Sequence, residues 1–172
     1  MTQRSWQSRL ARFRVPLGFA CAAVAIPLAQ PDATSLWLGG AIAVAGEAVR
    51  VWASGHLEKS REVTRSGPYK LVRHPLYLGS AIIGVGFMIA VRNPWVAALV
   101  TAYLGTTYLA AMRSEEGHLD EKFDGAYAAY RDGRSAPVER SFSWARLRAN
   151  EEYRAIAGLA IGLGLLYLKS RF

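Results

Sequence analysis

Apolar residues along this chain are gathered into five long stretches rather than alternating with polar ones. The stretches run from Val15 to Pro31, Ser35 to Ala53, Pro75 to Val91, Asn93 to Met112 and Ala155 to Leu168. They lack the regular polar positions of a soluble amphipathic helix. At about 1.5 Å per helical residue, such lengths are short but sufficient to cross a hydrocarbon layer about 30 Å thick. The pattern predicts a single all-α integral membrane domain over residues 1–172, with about five transmembrane helices.

The distribution of charge changes how the composition is interpreted. The 172 residues are 52% hydrophobic and 20% charged, with a net charge of +8. Four arginines precede the first stretch, and Lys and Arg are concentrated in the loops at 54–74 and 113–154. The positive-inside bias then places the N-terminus and both long loops in the cytoplasm. The basic excess is explained by this topology and by anionic lipid, so nucleic acid is not an expected partner.

The first stretch has an alternative interpretation. A basic segment followed by a short apolar stretch is also typical of a secretory signal. No clear small-residue cleavage site follows residue 29. We therefore favour a retained transmembrane helix.

Two charged residues lie one helical turn apart inside the second stretch. Glu47 and Arg50 each cost roughly 2.5 to 3.5 kcal/mol at membrane depth, so such charges are usually retained for function. One explanation is a mutual ion pair, or an arginine that extends to the inner interface. The other is an arginine that faces a cavity and holds an anion.

The third stretch begins with Arg73, His74 and Pro75. Proline suits the first turn of a helix, and the free N–H groups of that turn favour an anion. The triplet is also compatible with a simple interfacial start, with Arg73 on lipid phosphate and His74 as a cap. The turn signal of residues 66–69 brings the preceding loop back across the same face.

A second polar cluster follows the fourth stretch. Leu119, Phe123 and Tyr127 recur every fourth residue and predict a cytoplasmic helix with one apolar-aromatic face. Glu115 and Glu116 lie at its membrane end, where adjacent carboxylates are unfavourable beside anionic lipid unless they engage a cation or hydroxyl groups. A solvated acidic turn is the simpler alternative.

Metal binding has one weak signal. Glu115 and His118 have the Glu-x-x-His spacing of half a di-iron site. The sequence contains no second copy. We therefore expect no metal.

The ordered set of motifs between residues 46 and 130 resembles the isoprenylcysteine carboxyl methyltransferase family, and its second half resembles the related membrane phospholipid N-methyltransferases. The matching positions are Gly46, Glu47, Arg50, Gly67, Tyr69, Arg73, His74, Pro75, Tyr77, Gly79, Asn93, Pro94, Glu115, Glu116, Leu119, Phe123, Tyr127 and Tyr130.

The resemblance implies a helical membrane enzyme with a cytoplasmic pocket for S-adenosylmethionine, closed by a cytoplasmic helical segment. It also implies a lipid or lipidated substrate that enters from the bilayer. By carry-over, the cofactor-binding residues are Val63, Thr64, Tyr69, Arg73, His74, Pro75, Leu76, Tyr77, Glu115 and Glu116.

The same resemblance favours carboxyl O-methylation of a lipid-anchored or isoprenylcysteine-like substrate. Arg50 and Arg113 are then the cations that position the carboxylate, with Glu47 beside Arg50 in the catalytic group. Arg113 is only the nearest candidate for the arginine that the family places just before its glutamates.

Two other functions remain open on the sequence alone. An amine lipid such as phosphatidylethanolamine must lose a proton before it attacks, which assigns a base to His74 or Glu116. A transport protein, with Glu47 and Arg50 along a permeation path, is the non-enzymatic alternative. Five short spans without an inverted repeat disfavour it.

Overall fold

The computed structural model describes residues 3–59, 61–123, 125–136 and 138–172, with side chains from residue 16 onward. Within these ranges the chain forms seven α-helices, one 3-10 helix at Gly67–Lys70 and no strand. The α-helices are α1 (Gln3–Leu28), α2 (Ala33–His56), α3 (Pro75–Val91), α4 (Pro94–Lys122), α5 (Ala126–Arg131), α6 (Trp144–Ala149) and α7 (Tyr153–Lys169).

The prediction of an all-helical protein is confirmed, and helices coincide with the five apolar stretches. α3 has the predicted bounds, α2 and α7 are slightly longer than predicted, and α1 begins well before residue 15. In the described part of the chain, α2 and α4 are long and apolar enough to cross a bilayer. The five crossings stay a prediction.

The prediction that one helix after the fourth stretch carries Leu119, Phe123 and Tyr127 is wrong, because α4 ends at Lys122 and Tyr127 lies in α5. α4 continues without interruption from its apolar part through Glu115 and Glu116 to Lys122. Residues 113–122 contain no proline, so nothing interrupts the backbone hydrogen bonds of the helix. The chain turns only at Gly125, which adopts a left-handed φ of 81° before α5 begins.

α2 and α3 cross with their backbones in direct contact. A Cβ atom placed on Gly39 would lie 2.4 Å from the carbonyl oxygen of Gly86, and one on Gly46 would lie 2.7 Å from that of Gly79. Small residues permit such an approach, which apolar surroundings do not by themselves drive. This contact sets the positions of Arg50 and His74, which lie near the same end of the two helices.

α1 packs against α4, and α7 packs against α2. At one end of the bundle Asp32 caps α2 by accepting a hydrogen bond from the Ser35 N–H at 2.7 Å. Asn93 caps α4 through the Trp95 and Val96 N–H groups. Between these caps lies a small apolar core formed by Ala25, Ala29, Ala90, Val91, Val96 and Leu166.

At the opposite end of the bundle, residues 138–152, here called the C-terminal segment, pack on the end of α2. Arg146 Nε donates to the Gly55 carbonyl at 2.8 Å. Asn150 Nδ2 donates to the carbonyls of Ser54 and Leu57, each at 3.0 Å. These bonds satisfy carbonyl groups that the last turn of a helix leaves without intrahelical partners.

Candidate functional site

Two cavities meet near the C-terminal end of α2. The larger one, the polar cavity, has a volume of about 630 Å³ and lies among the ends of α2, α3 and α4, the 57–74 loop and α5. The smaller one, the apolar cavity, has a volume of about 450 Å³ and lies among α1, α2, α3, α4 and α7. The residues that line both are Arg50, Ser80, Tyr103 and Tyr108.

Most of the residues predicted to bind a cofactor surround the polar cavity, although they come from three parts of the chain. Its lining includes Val63, Thr64, Tyr69, Arg73, His74, Pro75, Leu76, Tyr77 and Glu115. Of the predicted catalytic residues, Arg50 lines both cavities and Glu47 lines the apolar one. Arg113 is exposed on α4 and is not among the residues lining either cavity.

The start of α3 contributes a helix N-terminus to the polar cavity. His74 is the N-cap residue and Pro75 occupies the first turn, but the His74 side chain makes no capping hydrogen bond. The N–H groups of this first turn therefore remain available, with the positive end of the helix dipole, for an anionic group. The imidazole of His74 instead extends towards α4.

Glu116 joins three elements behind the cavity wall. Its Oε1 atom accepts hydrogen bonds from His74 Nε2 and from the Tyr127 hydroxyl, both at 2.9 Å. Arg73 adds an ion pair at 3.7 Å. Glu116 lies in the charged last turns of α4, beyond its apolar part, and partial burial by itself would raise the pKa of the carboxyl. The hydrogen bonds and positive charges outweigh burial and lower that pKa, so Glu116 is a stable anion that fixes His74.

Buried tyrosines close the same side of the cavity. Tyr130 donates a 2.6 Å hydrogen bond to the backbone carbonyl of Tyr69, which links α5 to the 3-10 helix. Burial raises the pKa values of Tyr69 and Tyr127 well above the ordinary value for a phenol. Both side chains therefore remain neutral, and Tyr127 acts as a hydrogen-bond donor to Glu116.

Arg50 is the charged group at the junction of the two cavities. Its Nε atom donates to Glu152 Oε1 at 2.8 Å, and one terminal nitrogen donates to the Ser80 hydroxyl. Glu47 Oε2 is farther away, at 3.7 Å from Arg50 Nε. Both oxygens of Glu47 are buried and lack a hydrogen-bond partner among the described residues. The Glu47–Arg50 ion pair, one of the two explanations that the sequence left open, is thus the weaker of the two contacts that Arg50 makes with carboxylates.

Sequence reasoning missed Glu152, Ser80, Tyr103 and Tyr108. A signal for Glu152 was present, because an arginine inside an apolar stretch needs a partner and Glu152 lies three residues before the last apolar stretch. Nothing in the local pattern distinguishes Ser80, Tyr103 or Tyr108 from the small and aromatic residues common in membrane helices.

The polar cavity suits a zwitterionic, aromatic cofactor such as S-adenosylmethionine. The start of α3 can hold a carboxylate, Glu115 can accept a hydrogen bond from an ammonium or a hydroxyl group, and Tyr77 and Tyr108 supply aromatic surface. The volume lies within the range of about 300 to 1,000 Å³ typical of small-molecule sites. Across the described residues, no group of three or more His, Cys, Asp or Glu side chains is placed to hold a metal ion.

Comparison with known proteins connects the chain to a protein family and to a curated protein. Residues 34–126 match the model of the phospholipid methyltransferase family. The nickel-cobalt-cadmium resistance protein NccN of Alcaligenes xylosoxydans xylosoxydans is 33% identical over 90 residues, which cover 50% of this chain and 40% of that protein. The chain thus spans less than half of the length of this relative. No solved structure matches the chain.

Proposed function

The chain belongs to the phospholipid methyltransferase family, which forms one group with the isoprenylcysteine carboxyl methyltransferases. From this premise we propose that it is an S-adenosylmethionine-dependent membrane methyltransferase. Its acceptor is a polar group carried by a lipid or another largely apolar molecule.

The observation that carries the proposal is the meeting of a polar and an apolar cavity at Arg50. A cofactor in the polar cavity supplies an activated methyl group on a sulfonium. The apolar cavity, with Phe19, Phe87 and Leu159 in its wall, suits the hydrocarbon part of the acceptor. Holding the two reactants in line accounts for up to roughly 7 to 11 kcal/mol of a displacement barrier, so positioning is the main task of these residues.

The charges at the junction favour an amine as the acceptor group. Arg50 is already balanced by Glu152 in a close ion pair. A carboxylate acceptor would add a further anion to a buried region with no excess positive charge, which is unfavourable. Amine N-methylation is therefore the preferred reaction. Carboxyl O-methylation, as in isoprenylcysteine-directed enzymes, is the second candidate because Gly46, Glu47 and Arg50 fit that branch.

An amine acceptor also assigns a role to Glu47. The ammonium must lose a proton before its nitrogen can attack. Glu47 lines the apolar cavity, and its oxygens accept no hydrogen bond from the described residues. His74 and Glu116 are the bases that the sequence suggested, and their side chains are hydrogen-bonded to each other. Glu47 is therefore the better placed group to accept the proton or a hydrogen bond.

The reaction is tested by incubating membranes that contain the protein with methyl-labelled cofactor. Methyl esters release labelled methanol in base, whereas methylamines retain the label. We expect base-stable label in the lipid fraction. Base-labile label would support O-methylation instead, and no transfer at all, from protein that binds the cofactor, would contradict the proposed enzyme.

The proposed arrangement in the membrane is five spans, with the N-terminus and the polar cavity on the cytoplasmic side. Trp37 and Trp95, near the starts of α2 and α4, are 81% and 80% exposed, as expected for side chains at a membrane interface. A periplasm-active reporter fused after Phe172 should be active, whereas fusions at Arg61 or Arg134 should be inactive. The reverse pattern would place the polar cavity on the side that lacks the cofactor.

A further inference from the structure

The family match ends at residue 126, yet the C-terminal segment places a buried carboxylate at the junction of the two cavities. Building on the proposed function, we infer that Glu152 is a positioning residue that determines specificity. It holds and neutralises the Arg50 guanidinium, so that the acceptor site rejects carboxylates and admits amines.

The first support is the geometry of the pair. Glu152 is 4% exposed and lines the polar cavity, and its Oε1 atom lies 2.8 Å from Arg50 Nε. An arginine binds a substrate carboxylate best when two of its N–H groups are available side by side. Glu152 occupies the Nε–H, and Ser80 accepts from a terminal nitrogen. Two of the five N–H donors of the guanidinium, including the Nε–H, are thereby occupied by protein groups before any acceptor binds, and its charge is balanced by Glu152.

The second support is the way in which Glu152 is held. The preceding residue, Glu151, has a left-handed backbone φ of 58°, which residues other than glycine rarely adopt. Asn150 and Arg146 anchor the segment to carbonyls at the end of α2, and the Ser143 N–H donates to the Gly55 carbonyl at 3.0 Å. Because Arg50 lies on the same helix, these bonds fix Glu152 relative to Arg50.

The experiment compares two probes with the same 18-carbon chain, oleylamine and oleic acid. Cofactor-loaded protein in detergent is titrated with each probe, and the shift in melting temperature gives the binding ratio. Transfer of labelled methyl to each probe is measured in parallel. The variants are Glu152→Gln, which removes the charge at nearly constant shape, and Glu152→Asp, which keeps it. Glu151→Gln is the matched control, because Glu151 is half exposed and pairs with Arg154 at the surface.

For Glu152→Gln we expect the ratio of oleylamine to oleic acid binding to fall by about tenfold or more, because the freed Arg50 then favours the carboxylate. Glu152→Asp should restore a ratio close to that of the unchanged protein, and Glu151→Gln should not alter it. A merely structural role would weaken both probes equally and leave the ratio unchanged, which would overturn the inference. Failure of the unchanged protein to transfer methyl to either probe would count against the proposed amine reaction, whereas the binding ratio tests Glu152 separately.

Discussion

Replacement of Glu116 by alanine tests whether the polar cavity binds the cofactor. Glu116 lies behind the cavity wall and reaches the cofactor site through its partners. The change removes the acceptor of two 2.9 Å hydrogen bonds, from His74 and Tyr127, and a longer ion pair with Arg73. His74 then loses the contact that holds its ring beside the first turn of α3, and α5 loses a link to α4.

The expected magnitude follows from these contacts. A hydrogen bond to a charged group contributes about 1.5 to 3 kcal/mol, and the exposed ion pair with Arg73 contributes little. Glu116 is 29% exposed, so solvent replaces part of what is lost. In the variant, His74 and α5 are no longer held in place and must become ordered when the cofactor binds. We therefore expect the binding free energy to become about 2 kcal/mol less favourable, which corresponds to roughly 30-fold weaker cofactor binding.

The assay is calorimetric titration of S-adenosylmethionine into detergent-purified protein. His74→Ala should weaken binding to a similar extent because it breaks the same contact. Glu139→Ala is the control: its carboxylate is 89% exposed and pairs with Lys70 at the surface, so its loss should change the affinity very little. An unchanged affinity in correctly folded Glu116→Ala would refute the assignment of the cofactor to this cavity.

Three further outcomes are expected. Gly86→Ala should destabilise the protein by about 1 to 3 kcal/mol in thermal unfolding, because the added Cβ would lie 2.5 Å from the Gly39 carbonyl oxygen. Gly164→Ala is its control and should be neutral or slightly stabilising, because the added Cβ meets nothing within 4 Å. Arg50→Lys should strongly lower methyl transfer while the cofactor still binds, because an ammonium does not reproduce the planar group that joins Glu152 and Ser80; full activity would exclude a positioning role. Ser80→Ala, which removes the hydroxyl that accepts from Arg50, should lower turnover about tenfold or less without changing cofactor affinity, and an equal loss of both would indicate misfolding.

The helices could be predicted from the sequence because each long apolar stretch has few stable alternatives to a helix. Pro75 and Asn93 also mark their helix starts by ordinary local rules. The end of the fourth helix was misjudged because the apolar stretch stops at Met112, whereas the backbone bonds continue through a charged segment. Hydropathy indicates which part of a helix lies in apolar surroundings. The length of the helix depends instead on where its backbone hydrogen bonds end.

The site was predictable where chemistry is local and unpredictable where distant residues meet. Arg73, His74 and Pro75 are adjacent in the sequence, and their placement at a helix start follows from proline geometry. The pairing of Arg50 with Glu152 joins residues 102 positions apart. No single-sequence pattern specifies such a contact, and the nearer Glu47, one turn away, was the obvious partner by spacing.

The arrangement around Arg50 is costly unless it serves binding. Two buried carboxylates lie beside one partly buried guanidinium, and apolar residues of similar size would often be as stable or more so. Glu152 is the closer partner of the arginine, which leaves both oxygens of Glu47 buried and, among the described residues, without a hydrogen-bond partner. An unsatisfied carboxylate is destabilising in the resting protein, and a hydrogen-bond donor in the apolar cavity relieves that penalty. Under the proposed function an amine acceptor is that donor. Part of the affinity for the amine then comes from relief of the desolvation penalty at Glu47.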